Sequence, residues 1–177
     1  FNLLQQLKEA GTTIITFGLE SLSKTMLEKK IKKGTCLIDN IQMLKWLREL
    51  NIESSANLIV GYPNETRQEF RETIRNFKYL YHLEPPYISF FSLDYGSPIF
   101  QNPGAFNIRK VSLHNWHGYF IPREVLNKLV LDNYNFTQKV KLKHPQNIFK
   151  RELYRWTKKF INDSKYPLLY YEVKNGL

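Results

Sequence analysis

Cysteine is almost absent from this sequence: Cys36 is the only one among 177 residues. The chain can therefore form no internal disulfide, and it cannot supply all the thiolates of a zinc or iron-sulfur site. Long apolar runs are missing too. No stretch approaches the roughly 18 to 20 residues needed to cross a bilayer, and the N-terminus lacks the layout of a secretory signal. These absences predict a cytoplasmic protein with no membrane contact.

Acidic residues are scarce relative to basic ones, with 16 Asp and Glu against 26 Lys and Arg, a formal net charge of +10. This excess suits an anionic partner such as nucleic acid, phosphate or an acidic peptide, and charge alone does not choose among them. The composition is 42% hydrophobic and 24% charged, which is enough for a compact core. Wholesale disorder and a fibrous repeat are excluded.

Both ends of the sequence predict a piece of a longer protein. Phe1 stands in place of Met and already lies in a helical pattern that Gly11 ends. Pro167–Val173 has the pattern of a strand, and the hairpin signal Asn175–Gly176 is followed by Leu177 alone. We therefore expect an internal fragment that ends in a truncated hairpin. Two frayed natural ends are the alternative.

Strands and helices alternate in the first half of the sequence. Three runs rich in β-branched and aromatic residues predict strands at Thr13–Phe17, Ser55–Val60 and Tyr87–Leu93. Apolar stripes predict helices over Cys36–Leu50 and from Thr66 to Leu80, and Asn51 can take the left-handed conformation that ends the first of them. Because strands joined by crossover helices lie parallel in one sheet, the class is α/β, either a layer or part of a barrel.

The pattern changes after the third predicted strand. Pro103 and Gly104 open an irregular stretch, and helices are predicted at Arg123–Leu131 and Gln146–Phe160. We place a domain boundary near residue 105, with the α/β part over 1–105 and a mainly helical extension over 106–177. The last helix carries a basic face, which is either simply solvated or a docking surface for an acidic peptide or RNA.

The residues that follow each predicted strand are candidates for a ligand site, because ligands of parallel α/β folds lie beyond the carboxyl ends of the strands. After the first strand, Gly18 allows close approach of a ligand, and Glu20 and Ser21 offer a carboxylate and a hydroxyl suited to an amine or ribose hydroxyls. Ser23 is predicted to cap the short helix that begins near Lys24.

Glycines also follow the other two predicted strands. Gly61 can bring backbone against a flat ring, although on spacing alone an ordinary strand-to-helix turn is the better explanation. After the third strand, the segment Gly96–Pro98 forms either a plain turn or another edge of the same ligand site. The four histidines show no metal-ligand spacing on a predicted helix, so no metal ligand is assigned within this chain.

Three motifs in register carry a family resemblance. GLES after the first strand, NLIVGYPNET over the second, and SFFSLDYGSP at the third resemble the second half of a radical S-adenosylmethionine (SAM) enzyme, in order and spacing. The match covers residues 1–105. GLESLS, KKGT, DNIQMLKWLRELNI and HLEPP further resemble the cobalamin-binding subgroup, and within it the proteins that mature ribosomally made peptide natural products (RiPPs).

The resemblance implies cofactor-binding residues at the three strand ends: Glu20, Ser21, Asn57, Ile59, Gly61, Phe91 and Leu93. Glu20 and Ser21 fall where the family contacts the methionine and ribose part of SAM. Ile59 and Gly61 fall at the adenine, and the backbone of 91–93 reads the adenine edge. Asn57 stands where the family often has a small residue and is an added ligand candidate. No catalytic residue is assigned.

The resemblance also implies a fold and cofactors for the parent protein. The chain would be the C-terminal half of a partial (β/α)6 TIM-like barrel, with about three parallel strand-helix units. A missing N-terminal half of the same protein would hold the [4Fe-4S] cluster, whose ligands lie outside this chain, and a cobalamin domain would precede it. The substrate would be a precursor peptide, and the fragment alone is expected to be inactive.

Two positions depart from the family pattern, and two other functions stay open. Asn64 stands where the family often has Gly, and Asn tolerates the left-handed conformation better than other non-glycine residues. Tyr95 stands where the subgroup commonly has an Arg. One alternative is a radical SAM enzyme acting on tRNA, which the net charge would suit. The other is a non-enzymatic basic α/β binding module that holds no cluster.

Overall fold

A computed structural model describes residues 1–126, 128–138 and 146–163 of the chain. Its first part contains the following elements: α1 (Asn2–Glu9), β1 (Ile14–Glu20), a π-helix (Met26–Ile31), α2 (Leu37–Glu49), β2 (Glu53–Val60), α3 (Arg67–Phe77) and β3 (Tyr87–Phe90). The later elements are β4 (Leu93–Asp94), α4 (Pro98–Gln101), a 3-10 helix (Pro103–Phe106), β5 (Ile108–Ser112), α5 (His117–Phe120), α6 (Arg123–Leu126), β6 (Asn133–Gln138) and α7 (Gln146–Asp163).

The first three strands form one sheet in the order β1-β2-β3, and β1 and β2 run parallel. Ile14 pairs with Glu53 at the start of the two strands, and Gly18 pairs with Asn57 near their ends. This confirms the predicted α/β class with parallel strands joined through helices. The barrel and its number of units remain predictions.

Strand β2 separates its side chains into two faces. Ala56 and Leu58 are buried, whereas Ser55, Asn57 and Ile59 alternate with them and are only half-buried. Side chains of a strand point to opposite faces in turn, so the first set packs under the helices and the second lines the other face. The predicted ligand residues Asn57 and Ile59 therefore share the less covered face of the sheet.

The core beneath this sheet is built by α1 and α2. Leu4, Leu47 and Ile52 form a buried cluster, and Phe17 packs against it. The predicted stripe of α2 is only partly buried, because Ile38 is 67% exposed while Leu47 is fully buried. Asn51 ends the helix region at φ 51°, the left-handed conformation that the sequence predicts.

Helix α7 packs against α3 through aromatic rings. The Phe77 ring lies 5.2 Å from that of Phe149 and 5.4 Å from that of Trp156, measured between centroids. The Trp156 Nε1 also donates a hydrogen bond of 2.7 Å to the Leu83 carbonyl oxygen. The predicted helix at 146–160 is thus confirmed and runs on to Asp163.

The prediction of a third strand over Tyr87–Leu93 is wrong at its C-terminal end. β3 stops at Phe90, and Leu93 begins β4, which pairs antiparallel with β6 in a different sheet of order β4-β6-β5. Between them, the Phe91 N–H donates to the Val60 carbonyl oxygen at 2.9 Å, and the Ser92 hydroxyl donates to Asp94 at 2.9 Å. The chain therefore stays bonded to the end of β2 at Phe91 and leaves the first sheet where Leu93 and Asp94 pair with β6.

The extension contains strands that the sequence pattern did not predict. β5 and β6 pair antiparallel, so this region is not built of helices alone. The helix predicted at Arg123–Leu131 is shorter than expected, since α6 ends at Leu126. The predicted strand at 167–173 and the truncated hairpin after it lie outside the described residues.

The chain divides into two compact units. The first comprises residues 1–59, 67–89 and the described residues from 146 onward, and the second comprises 60–66 and the described residues between 90 and 138. The boundary near residue 105 and its two domains stay predictions. None of the described helices has both the length and the apolar character needed to cross a membrane.

Candidate functional site

Glu20 ends strand β1 in an unusual backbone conformation. The pairing of β1 with β2 shifts register between Gly18 and Glu20, and Glu20 has φ 59°. A non-glycine residue in the left-handed region costs roughly 1 to 2 kcal/mol, and such strain clusters at functional sites. The residue is also 3% exposed, so its carboxylate is held inside the protein at the mouth of the strand.

The Glu20 carboxylate is only half satisfied. Oε1 accepts a hydrogen bond from Lys33 Nζ in an ion pair, whereas Oε2 is buried and has no hydrogen-bond partner among the described residues. A buried acceptor left without a partner costs about 1 to 3 kcal/mol, and more when it is charged. The arrangement therefore has unused capacity for one N–H or O–H donor.

Gly18 lies directly beneath this carboxylate. A Cβ atom at Gly18 would collide with Glu20 Oε1 and would press on Lys33 Nζ. The ion pair thus lies over the position where any other residue would carry its side chain. Glycine is needed here for close approach, as the sequence predicts, although the group that approaches in this structure is a side chain of the same chain.

The two serines after β1 have different partners. The Ser21 hydroxyl oxygen accepts a hydrogen bond of 3.0 Å from the Ser23 N–H, and its own proton stays available as a donor. The Ser23 hydroxyl oxygen accepts from the Met26 N–H at 3.4 Å and donates to Glu72 at 2.7 Å. The capping role predicted for Ser23 is confirmed, while the cofactor role of Ser21 stays a prediction.

Two asparagines hold the loop after β1 in place. The Asn40 Nδ2 donates to the Leu19 carbonyl oxygen at 3.2 Å, and the Asn76 Nδ2 donates to the Leu22 carbonyl oxygen at 2.7 Å. These bonds pair carbonyl oxygens at the end of β1 and in the loop that follows it. Sequence reasoning missed both residues, and the one available signal was a polar amide on the buried side of α2.

Lys33 was also missed as a functional residue. It lies in the quoted KKGT segment, but nothing in its local pattern indicates a partner thirteen positions earlier. The pairing arises only because the π-helix and its left-handed end at Lys32, with φ 55°, turn the chain back toward the end of β1. Tertiary structure alone reveals this contact.

Asn57 and Ser89 form a polar pair across neighbouring strands. The Ser89 hydroxyl donates a hydrogen bond of 2.7 Å to the Asn57 Oδ1. Ile59 lies two residues further along β2 on the same face, and Gly18 is the in-register neighbour of Asn57 on β1. The predicted residues Glu20, Asn57 and Ile59 are therefore brought to one region of a single sheet.

The remaining predicted residues, Gly61, Phe91 and Leu93, lie in the second unit. Gly61 has φ 81° and Asn64 has φ 68°, so the turn after β2 uses the left-handed conformation that the sequence predicts for Asn64. The Tyr62 and Phe91 rings meet edge to face at 5.2 Å. Leu93 is fully buried in β4, and its backbone pairs with Tyr134. The adenine contacts of these residues stay predictions.

The histidines do not form a metal centre in the described part of the chain, where no group of three or more His, Cys, Asp and Glu side chains clusters.

Burial lowers the pKa of His82 below its ordinary value of 6.5, with smaller contributions from the nearby cations Arg48 and Lys45. Cys36 is half-buried, and its Sγ donates to Asp39 at 2.9 Å.

The hydrogen-bonding groups at Glu20 and Ser21 are complementary to part of SAM. A buried carboxylate oxygen without a partner accepts an ammonium or a ribose hydroxyl, and Ser21 adds a second polar group beside it. Because Gly18 has no side chain, the Glu20 carboxylate lies close to the backbone of β1. The residues at the end of β1 are therefore chemically compatible with the amine or ribose end of the cofactor.

Parallel strands joined through helices define an α/β fold, a class in which ligands bind beyond the carboxyl ends of the strands. Residues 2–77 match the family model of the Radical SAM superfamily, so this part of the chain is similar to a radical SAM domain. Proteins of this superfamily are enzymes that use SAM and a [4Fe-4S] cluster. The match covers less than half of the chain.

Two characterised or named proteins are similar to the same part of the chain. An uncharacterized methyltransferase of Pyrococcus horikoshii is 35% identical over 74 residues, which is 42% of this chain and 16% of that protein. The anaerobic magnesium-protoporphyrin IX monomethyl ester cyclase of Cereibacter sphaeroides is 34% identical over 73 residues, 41% of this chain and 12% of that protein. The similarity thus spans a small part of each relative.

Proposed function

We propose that this chain supplies the SAM-binding half of a cobalamin-dependent radical SAM enzyme that modifies a ribosomally made peptide in the cytoplasm. The observation that carries the proposal is the buried Oε2 of Glu20 at the end of a parallel strand, which has no hydrogen-bond partner in the described part of the chain. The superfamily match over residues 2–77 supports the cofactor class. The KKGT and HLEPP segments support the cobalamin subgroup and the peptide substrate.

The residues of this chain bind and orient the cofactor. Glu20 accepts a hydrogen bond from the amine or ribose of SAM through Oε2, and Ser21 donates its hydroxyl proton to the same part of the ligand. Ile59 offers an apolar surface to the adenine, and Gly61 allows close approach of backbone. When bound, SAM and the cluster supply the radical chemistry, while the protein positions the groups and excludes water.

The rest of the enzyme lies outside this chain in the proposal. Cys36 is a single cysteine, half-buried and hydrogen-bonded to Asp39, so the thiolates of the cluster come from other residues of the parent protein. The N-terminal half of the same protein completes the barrel. One relative is named a methyltransferase and the other a cyclase, so the names support radical SAM chemistry without selecting the bond that changes.

Binding of SAM to the anaerobically purified full-length protein tests the proposal. We expect Glu20→Gln to raise the dissociation constant by about tenfold to a hundredfold, because a hydrogen bond to a charged group contributes roughly 1.5 to 3 kcal/mol. Equilibrium dialysis with labelled SAM measures this.

Glu9→Gln is the matched control, since it makes the same change at an exposed residue of α1. It should bind SAM as the unmodified protein does. A full-length protein that does not bind SAM, or a Glu20→Gln variant with unchanged affinity, would contradict the proposal.

A second candidate function is a radical SAM enzyme acting on tRNA. The observation that favours it is the net charge of +10, which suits a polyanionic substrate. It shares the SAM site with the first candidate and differs in the substrate alone.

A further inference from the structure

A cavity of about 430 Å³ lies in the first unit, at the end of the sheet opposite the candidate SAM site. Two residues that line it, Thr13 and Glu53, stand at the amino ends of strands: Thr13 directly precedes β1 and Glu53 begins β2. Glu20 lies at the other end of β1, roughly 20 Å along the strand. The cavity is therefore separate from the residues assigned to SAM.

Arg48 lines this cavity from the last turn of α2 and has unused hydrogen-bonding capacity. Its Nη1 is buried and has no hydrogen-bond partner among the described residues. Glu53 and Glu84 line the same cavity, yet no ion pair joins the guanidinium to a carboxylate in the part of the chain that the structure describes. Because a buried charged donor without a partner is unfavourable, a ligand that supplies an acceptor is stabilised here.

The Phe160 ring determines which part of the guanidinium a ligand can reach. The Arg48 Cζ lies over this ring, 5.0 Å from its centroid, so the ring covers one flat face of the group. The N–H donors lie at the edge, in the plane of the guanidinium, and stacking does not occupy them. Two parallel N–H donors match the two oxygens of a carboxylate.

The lining also contains a second cation and apolar surface. Lys8 donates one N–H to the Asn51 carbonyl oxygen at 2.7 Å, and its ammonium carries two further donors. Ile52 and Phe160 line the cavity with apolar side chains. A ligand that combines an anionic group with an apolar body is complementary to this set.

Two carboxylates in the lining limit the charge of that ligand. Glu84 is held in place, since its Oε2 accepts a hydrogen bond of 2.6 Å from the Ser54 N–H. Glu53 is exposed at the start of β2. Both repel negative charge, so a ligand with one negative charge is favoured over a dianion such as a phosphate group.

We propose that this cavity binds a small monocarboxylate with an apolar body. The carboxylate pairs with the edge of the Arg48 guanidinium, Lys8 adds a second positive charge, and the body packs against Ile52 and Phe160. The inference does not depend on the proposed function, because it involves none of the residues assigned to SAM. It gives the protein a second ligand site at the amino ends of the strands.

Calorimetric titration of the full-length protein with benzoate tests this site. Benzamide is the matched neutral ligand, because it has nearly the same shape and lacks the negative charge. We expect benzoate to bind with a dissociation constant of about 1 mM or below, and benzamide to bind about tenfold more weakly or worse. Inorganic phosphate should also bind about tenfold more weakly than benzoate, because the lining carboxylates repel its second charge.

Three variants assign the binding to the cavity. Arg48→Met removes the guanidinium and keeps a long side chain, so the affinity for benzoate should fall by about tenfold or more. Lys45→Met removes a positive charge from the same helix at an exposed residue outside the lining, and its affinity should stay unchanged. Glu53→Gln removes a repelling charge and should raise the affinity by about two- to threefold.

The midpoint of urea unfolding separates binding from folding. Arg48→Met should leave this midpoint unchanged, because the Arg48 guanidinium makes no ion pair with the described residues. If Arg48→Met does not fold, Glu53→Gln decides, since it leaves the guanidinium in place: higher benzoate affinity supports the site, and unchanged or lower affinity overturns it. No benzoate binding, equal binding of benzamide or phosphate, or full binding by a folded Arg48→Met variant would overturn it as well.

Discussion

Glu20 combines backbone strain, burial and an incomplete hydrogen-bond set in one residue. Each feature is unfavourable for stability, and the ion pair with Lys33 offsets them only in part. A protein retains such a residue when its unused bonding capacity serves a ligand. The neighbouring Gly18 supports this view, because its missing side chain is what allows the carboxylate to lie there.

Gly18→Ala should damage the site directly. The added methyl group would collide with Glu20 and Lys33 and separate the ion pair. We expect SAM affinity to fall by about tenfold or more and the free energy of unfolding to fall by about 1 to 3 kcal/mol. Dialysis and urea unfolding measure the two effects. Gly118→Ala, where a Cβ would meet no atom within 4 Å, is the control. A Gly18→Ala variant with unchanged SAM affinity would show that SAM binding does not require a glycine beneath the Glu20 carboxylate.

His82 should make stability depend on pH. Burial, and then the cations Arg48 and Lys45, lower its pKa in the folded protein below 6.5. Above that pH the residue is neutral in both states and contributes nothing. As the pH falls below 6.5, the unfolded chain binds the proton more readily, so the free energy of unfolding decreases until the pH passes the lower folded pKa.

Urea unfolding at about pH 7.5 and about pH 5.5 checks this prediction for His82. His82→Gln removes the titrating group, so the variant should lose less stability on acidification than the unmodified protein. Equal losses in the two proteins would mean that burial does not disfavour the charged imidazole.

Helix α7 belongs to the first unit, and an aromatic cluster packs it against the other elements of that unit. Trp156 is fully buried, packs on Phe77 and donates to the Leu83 carbonyl oxygen. The exposed Lys158 lies 5.5 Å from the Tyr154 ring of the same helix, whereas Lys159 lies 4.9 Å from the Tyr81 ring, outside the helix. The basic residues are therefore partly in contact with the rest of the unit, and a docking role for them stays a prediction.

Substitutions of Trp156 should reveal how much this element contributes. Trp156→Ala removes the packing and the hydrogen bond, so we expect the free energy of unfolding to fall by about 3 to 5 kcal/mol. Trp156→Phe keeps an aromatic ring and leaves the Leu83 carbonyl without its donor, so we expect the free energy of unfolding to fall by about 1 to 3 kcal/mol. Urea unfolding distinguishes the two.

Tyr154→Phe on the same helix is the matched control for this measurement. Tyr154 is 62% exposed, and its substitution should change the unfolding free energy by less than about 0.5 kcal/mol. If Trp156→Ala behaves like this control, α7 does not stabilise the fold through its aromatic cluster.

The net charge of +10 acts on the molecule as a whole. It predicts nonspecific attraction to any polyanion, and such binding weakens steeply as salt is raised. Under the peptide-modifying proposal, the full-length protein should bind tRNA and an unrelated RNA of equal length with similar affinity at roughly 150 mM salt. Filter binding over a salt series measures this. A preference for tRNA of about tenfold or more would favour the tRNA alternative instead.

Local sequence was sufficient for several features of this protein. The parallel α/β class, the helix α2 with its left-handed end at Asn51, the helix α7, and the position of Glu20 at a strand end all follow from periodicity and turn chemistry. Ser23 as a cap and Asn64 in the left-handed region follow in the same way. Each depends on residues within about one helical turn or one strand, which is the range that such patterns report.

Only the tertiary structure decided the features that join distant segments. The break of the third apolar run into β3 and β4 depends on pairing with β6, some forty residues later in the chain, which no local pattern contains. The partnership of Glu20 with Lys33 and that of Asn57 with Ser89 likewise require the fold to bring separate segments together. The types of residue were therefore readable from the sequence, whereas their bonding partners depend on long-range contacts.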